Sequence, residues 1–414
     1  ATVASLFSLY ALLPILSRLE QEREGLMIAF LRSTLLVFFC GMSLIGIIAF
    51  VFAPELAPFI APGIAADPAA RTELILLMRI LLLQPIFLGA SNTIAALTQL
   101  RHRFVLYSVS PLLYNLGIIF GALVLYPHFG IAGLGYGVVL GAFLHMIVQV
   151  PYFVAEKTSE RIPFRQVMRD TGEVLTLSVP RTLALAANQI SLLALVSIAS
   201  ILSSGSIAVF SFAYNLQSVP LTIIGVSYSI AAFPTLAHLH AQGKKEAFNN
   251  YVEAATRHII FWSIPAIVFV IVLRAQLVRV ILGAGQFDWN ATRLTAAALA
   301  LFIISLTAQS ITLLIARAYY ATGNSRKPLY YGFVDIFVSV LSALLLVYGF
   351  HHSLFFKNVI ESLLRVGDVP GTDMLMLALG YALGAIAECV VGYSYFGRDF
   401  SLSVARLSRL FFES

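Results

Sequence analysis

The feature that most constrains this chain is a succession of long apolar runs almost free of charge. They lie near residues 1–17, 27–53, 72–99, 104–126, 129–154, 174–201, 204–236, 254–282, 291–316, 329–350 and 373–396. A helix needs roughly 20 predominantly apolar residues to cross the hydrocarbon core of a bilayer. Of the 414 residues, 59% are hydrophobic and 11% charged, against roughly 45–50% and about 25% in a soluble domain. A soluble enzyme, a disordered tail and a secreted disulfide scaffold are thereby excluded. The expected fold class is an all-α polytopic membrane protein with about eleven visible transmembrane helices. The two cysteines, Cys40 and Cys389, fall inside apolar runs and give no sign of a disulfide or a metal site.

Between the runs lie turn-rich stretches, such as the cluster Pro54, Pro58, Pro62, Gly63 and Pro68, which is too short to span. Lys and Arg distribute unevenly over alternate loops. Seventeen fall in one set, from Arg18 and Arg23 through Lys244 and Lys245 to Arg409, and six in the other: Arg71, Arg274, Arg279, Arg293, Lys357 and Arg365. The positive-inside bias places the first set, and with it the C-terminus, in the cytoplasm. Eleven spans then leave Ala1 outside. The chain opens on an apolar run without the basic region of a signal peptide, so one further helix upstream is expected, giving twelve spans with both ends inside. The tail 397–414 is expected to form an amphipathic interfacial helix, with Leu407, Leu410 and Phe411 beside Arg406 and Arg409.

A weak internal repeat divides the chain. Pro14-x-Leu16-x-x-Leu19 returns as Pro234-x-Leu236-x-x-Leu239, six spans later, so the two copies run parallel about an axis along the membrane normal. Transporters of that design hold their substrate between halves; the alternative is chance similarity between Leu-rich helices. The expected organisation is an N-terminal lobe 1–154, a cytoplasmic linker 155–173, a C-terminal lobe 174–396 and the tail 397–414.

Ionisable groups inside spans are costly, about 2.5 to 3.5 kcal/mol at the centre, and so mark function by default. Arg32, Arg79, Arg181, Asp335 and Glu388 qualify. Arg32 reads as a snorkelling residue, and Asp335 and Glu388 as helix-pairing groups. Arg79 is a cavity candidate. Arg181 is the stronger one, since it follows Pro180 and precedes Asn188, on the same helix face, and Gln189. In the next span Ser211, Asn215, Ser218 and Thr222 recur at steps of four, three and four. Two such stripes can bond each other, or line a wet cavity in which an Arg grips a phosphate bidentately. Catalytic signatures are absent: the chain has no P-loop, dinucleotide glycine fingerprint or HExxH pair. His238-x-His240 reads as solvated. No enzyme activity, cofactor, metal or nucleic-acid partner is expected.

The segments Arg79-Ile80 through Gln84-Pro85, Arg103-Phe104 to Ser110-Pro111-Leu112-Leu113-Tyr114-Asn115, and Gly137-Val138-Val139-Leu140-Gly141 with Gln149-Val150-Pro151 resemble the MurJ/MviN lipid II flippase family, as do Asn188-Gln189-Ile190-Ser191, Ser204-Gly205-Ser206 and Phe233-Pro234-Thr235-Leu236. The likeness covers most of residues 1–350 and fades after His351. It implies membership of the multidrug/oligosaccharidyl-lipid/polysaccharide exporter superfamily and two six-helix lobes around a central cationic cavity. It also implies alternating access that carries an undecaprenyl-pyrophosphate-linked peptidoglycan precursor, lipid II, across the bacterial inner membrane. Partners would be the lipid-linked substrate, the bilayer and cell-wall synthesis proteins, with the chain as a monomer and coupling to membrane potential or a monovalent ion. The family's first helix and most of its cavity arginines would precede Ala1. Where members carry an Asp-Arg pair before the proline that is here Pro220, this chain has Tyr214-Asn215, and Arg181 is the substitute cation. The second expectation is a cation-coupled small-molecule or other lipid-linked-saccharide exporter, which needs a buried carboxylate in the N-terminal lobe. A transport-inactive membrane scaffold is the third.

Overall fold

The computed structural model describes residues 16, 24–101, 103–156, 158, 163–285, 287–324 and 326–400. Within them the chain is helical and contains no strand. It forms two compact units, 1–185 and 186–414.

Unit 1 contains α1 (Glu24–Val51), α2 (Ala53–Ile60), α3 (Pro62–Ala65), α4 (Pro68–Leu81), α5 (Leu83–Leu100), α6 (Phe104–Phe120), α7 (Tyr126–Phe129), α8 (Ile131–Ile147) and α9 (Val150–Ala155). α10 (Phe164–Ile201) runs through the boundary at Leu185. Unit 2 adds α11 (Ser206–Leu221), α12 (Ser227–Ala241), α13 (Lys245–Leu282), α14 (Trp289–Ile303), α15 (Leu306–Ala321), α16 (Arg326–His352), α17 (Leu354–Leu364) and α18 (Leu375–Phe400). Among the described residues eight stretches are long and apolar enough to cross a membrane, and α14 with α15, bent by 46°, would make a ninth if the pair is one broken span. Of the eleven sequence-predicted spans, 1–17 lies outside the described residues apart from Leu16. Span 174–201 falls in α10, whose part Ala186–Ile201 is apolar but short. The tail after Phe400 lies outside the described residues.

Local chemistry explains the interruptions. The proline cluster becomes the short helices α2 and α3, and Asp67 caps the next by accepting from Ala69 N at 3.0 Å, with Pro68 at the first helical position. The predicted span 72–99 is divided at Leu82, three residues before Pro85, and 129–154 at Val148–Gln149, just before Pro151. Proline removes the N–H that would continue each helix. At the second break Gln149 N bonds Met146 O, and the His145 carbonyl accepts instead from Ser91 Oγ at 3.0 Å.

α6 and α8 approach through glycine. A Cβ on Gly117 would overlap the backbone of Gly141, and one on Gly121 that of Gly137. A wide π-turn, Gly121–Leu125, follows at this crossing. In unit 2 the core gathers around Phe302, Leu314, Tyr319, Met376 and Phe396, all nearly inaccessible. Large apolar side chains face outward, for example Trp262, Val268, Phe269 and Val272 on α13. On a water-soluble surface this much exposed hydrocarbon would be an aggregation hazard; in a bilayer it meets lipid of equal polarity.

Candidate functional site

The polar stripe read from the sequence lies on α11 and the π-turn Thr222–Val226 that follows it. Asn215 and Thr222 are exposed, Ser211 and Ser218 half-buried. Pro220 shapes this face. It cannot donate to the carbonyl one turn back, the backbone widens into the π-turn, and hydroxyls bond the main chain instead. Ser218 Oγ donates to Asn215 O at 2.7 Å, Thr222 Oγ1 to Ser218 O at 2.8 Å and Ser227 Oγ to Thr222 O at 3.1 Å. Ser218 and Thr222 therefore offer a ligand only oxygen lone pairs, whereas the exposed Asn215 amide can both donate and accept.

Asn188 and Gln189, on α10, are also exposed. Asn188 lies near Tyr381 on α18. Tyr381 donates to Gln309 Oε1 at 3.3 Å and meets the Tyr214 ring edge-on at 5.7 Å. Gln309 Nε2 donates to Ser305 Oγ, and Ser305 Oγ to Phe302 O, each at 2.7 Å. A polar path thus runs from Asn188 to the bend between α14 and α15. Gln309 and Tyr381 are absent from the sequence reading, and Tyr214 enters it only as the neighbour of Asn215. A lone Tyr or Gln in an apolar run shows no periodicity until its partner helix is known.

Behind this path lies Asp335 on α16, only 3% exposed. Its Oδ1 accepts from Ser339 Oγ at 3.0 Å, one turn on. Ser191 of α10 faces the same carboxyl, while Oδ2 has no protein donor. Glu388 on α18 is half-buried and near enough to interact with Asp335 electrostatically. Among the described residues no Lys or Arg forms an ion pair with either. Gly384 makes room for the cluster, since a Cβ there would stand 2.9 Å from Asp335 Oδ1 and overlap Ser339 Oγ. A carboxyl group among apolar helices is costly as a bare anion and is accommodated by a proton, a cation or a basic partner. No group of three or more metal-ligating side chains occurs among the described residues.

Unit 1 holds Arg79. Its Nε donates to Phe50 O at 3.2 Å, and the guanidinium lies over the Phe50 ring at 4.6 Å. Phe50 is in the last turn of α1, where carbonyls lack intrahelical partners, so Arg79 caps a helix. Arg32 donates to Glu156 O at 2.6 Å. Gln84 and Tyr114, both within the quoted motifs, bond each other at 2.8 Å. The carboxylates Glu55, Asp67 and Glu73 are exposed and Glu156 half-buried. The Arg181 side chain lies outside the described residues. Beside the π-turn, Ile223, Ile224, Tyr228, Trp262, Pro265, Ala266 and Phe269 line an open groove of about 590 Å³. It holds no charge and suits a hydrocarbon chain.

Apolar spans broken at prolines, with amides, hydroxyls and, among the described residues, carboxyls that form no ion pair gathered inside them, define a multi-pass membrane protein. The solved structures agree on the fold. The inward closed conformation of lipid II flippase MurJ superposes with TM-score 0.73 at 18% identity, covering 99% of this chain and 82% of that one. An inward-facing multidrug resistance MATE family transporter of the MOP superfamily gives 0.76 at 16%, covering 96% and 88%. The family model described as "Lipid II flippase MurJ" matches residues 7–414, and the chain belongs to that family. The lipid II flippase MurJ of Burkholderia cenocepacia is 23% identical over 292 residues, 68% of this chain and 56% of the relative. The probable lipid II flippase MurJ of Rickettsia prowazekii is 24% identical over 376 residues, 90% and 69%. This chain therefore spans about 56% to 69% of the length of these two curated relatives.

Proposed function

We propose that this protein is a flippase that carries a polyprenyl-pyrophosphate-linked peptidoglycan precursor, lipid II, across the bacterial inner membrane by alternating access, with its C-terminus in the cytoplasm. The observation that carries the reading is the set of exposed amides and hydroxyls in unit 2, Asn188 and Gln189 on α10 and Asn215 and Thr222 on α11 and its π-turn, within otherwise apolar helices. In a chain of this family, such a set suits a sugar and peptide headgroup, which is recognised by many neutral hydrogen bonds. Arg181 remains the candidate for the pyrophosphate on the sequence argument alone. The protein acts as a transporter, and Asp335 with Glu388 is the place where a coupling proton or monovalent cation would bind.

A small-molecule exporter coupled through the first unit is less well supported, because the carboxylates with described side chains there are exposed or half-buried. The test is reconstitution of the purified chain in proteoliposomes containing fluorescent lipid II in the inner leaflet. Exposure of the label to an impermeant quencher should accelerate over protein-free vesicles, and Asn215→Ala should slow it. Unchanged lipid II exposure by folded protein, with export of a small organic cation instead, would replace this reading by the exporter.

A further inference from the structure

The segment between α16 and α18 shows no motif in the sequence, yet it contains an ordered helix. α17 has 11 residues and begins with Ser353, whose side chain accepts from Phe356 N at 3.3 Å. It ends in a Schellman turn. Val366 N bonds Glu361 O at 2.9 Å and Arg365 N bonds Ser362 O at 3.2 Å, with Arg365 in the left-handed region at φ 60°. At about 1.5 Å per residue the helix is roughly 17 Å long, too short to span. A single residue, Ser353, joins it to α16, so it lies at the end of a membrane span.

Its side chains divide into three sectors. Phe356, Ile360 and Leu364 pack on the core of unit 2. Asn358 and Ser362 are exposed and polar, in a row headed by the exposed Leu354 at the start of the helix. Phe355, Val359 and Leu363 form a third strip, 80%, 45% and 71% exposed. Successive positions along that strip are four apart, so it runs the length of the helix beside the packed sector. The strip is also held rigidly. Thr372 Oγ1 donates to the buried Glu361 at 2.6 Å, Lys357 lies 3.9 Å from Glu361, and Arg293 donates to the Arg365 carbonyl. Just before the helix, Tyr348 stacks on His352 at 4.0 Å and is itself exposed, the placement of an aromatic at a membrane boundary. Leu341, Leu344 and Leu345 of the preceding span α16 are also exposed.

We infer that α17 is an interfacial helix whose Phe355–Val359–Leu363 strip lies in the hydrocarbon edge of the leaflet at the Arg293–Asp368 end of unit 2, with Asn358 and Ser362 turned to water. An amphipathic helix with an apolar strip of this kind binds a bilayer in its plane. Here three sectors meet protein, lipid and water at once.

The test uses single cysteines at 355, 358, 359, 362 and 363 in a chain carrying Cys40→Ser and Cys389→Ala. Each is spin-labelled and reconstituted in phosphatidylethanolamine/phosphatidylglycerol vesicles. Collision with a water-soluble nickel chelate should be at least about tenfold weaker at 355, 359 and 363 than at 358 and 362, because a polar chelate is excluded from hydrocarbon. Collision with oxygen should persist at those three positions. Equal access of the chelate to all five positions would place the strip in water. Shielding of 355, 359 and 363 from both reagents would mean that a protein surface covers it. Phe355→Trp, with Trp262→Phe and Trp289→Phe, gives an independent reading: vesicles with brominated acyl chains should quench its fluorescence, and an absence of quenching would overturn the inference.

Discussion

The α6/α8 pair of unit 1 and the α16/α18 pair of unit 2 both bring backbones together through small residues, and they use that closeness differently. Between α6 and α8, glycine meets glycine, and an added Cβ would strike main chain on the opposite helix. Between α16 and α18, Gly380 meets the main chain of Ala343 as well as its Cβ, while Gly384 faces the side chains of Ser339 and Asp335. The first contact is a seam of backbone against backbone. The second is a socket in which a missing Cβ leaves space for a carboxyl group. A glycine in a membrane helix thus has two uses, and the group it faces tells them apart.

The strongest way to break this comparison is Gly137→Val. Its side chain would meet the main chain of Gly121, which cannot rotate away, so the variant should lose about 3 kcal/mol or more and fail to elute as one species in detergent. Retention of the wild-type Tm would show that the seam is loose. Next in size is Asp335→Asn, which keeps the shape and removes the charge. Folded protein should be recovered with Tm unchanged or raised, while lipid II exposure in proteoliposomes falls by about tenfold or more, a difference of roughly 1.4 kcal/mol. A lower Tm with an unchanged rate per folded molecule would reduce Asp335 to a packing group.

Gly384→Ala sharpens the contrast. It should cost about 1 to 2 kcal/mol and be partly rescued by Ser339→Ala in the same chain, which removes the Oγ that the new Cβ would overlap and leaves Ser339 Cβ at 2.8 Å and Asp335 Oδ1 at 2.9 Å. No second-site alanine should rescue Gly137→Val, because what it meets is backbone. The smallest effect separates Asp335 from an acid outside the membrane. Arg293 donates to both oxygens of Asp368, at 2.6 and 2.5 Å, and these bonds hold that carboxyl below the ordinary carboxylate range. A depressed folded-state value means that the pair stabilises the fold above the ordinary carboxylate range and ceases to as pH falls through the depressed value. Arg293→Gln should lower Tm slightly at neutral pH, with a smaller gap in strong acid, where wild type keeps only the bond from Arg293 to the Arg365 carbonyl. A constant gap at every pH would show that the loss is not electrostatic.

Much of the architecture is legible in the sequence because bilayer thickness sets a length scale that apolar runs must meet. The predicted runs at 27–53, 104–126 and 329–350 fall on single helices or nearly so. The breaks at Leu82 and Gln149 were signalled by Pro85 and Pro151. The bend at Ile304–Ser305 has no proline within the segment and was not legible. The stripe Ser211–Asn215–Ser218–Thr222 could be read because its members share one helix and one period. The path through Asn188, Tyr381 and Gln309 could not, since its residues come from three helices whose pairing no local pattern encodes. Arg79 shows the opposite limit. A charge within an apolar run marks a cost, but only the nearby end of α1 reveals that a helix carbonyl meets it.

The bend between α14 and α15 also bears on how the chain is made. The two half-helices have 15 and 16 residues, or roughly 23 Å each, and neither alone crosses a hydrocarbon core of about 30 Å. During synthesis the first half cannot partition into lipid as a finished segment when it leaves the ribosome. It has to wait until the second half emerges and the two integrate together. The Gln309–Ser305 bond is local to the bend, but the bond from Tyr381 to Gln309 closes only after α18, the last described helix, has arrived. The polar centre of unit 2 is therefore completed late in biogenesis, and a chain arrested before Leu375 would leave the Gln309 amide oxygen exposed to lipid without this donor.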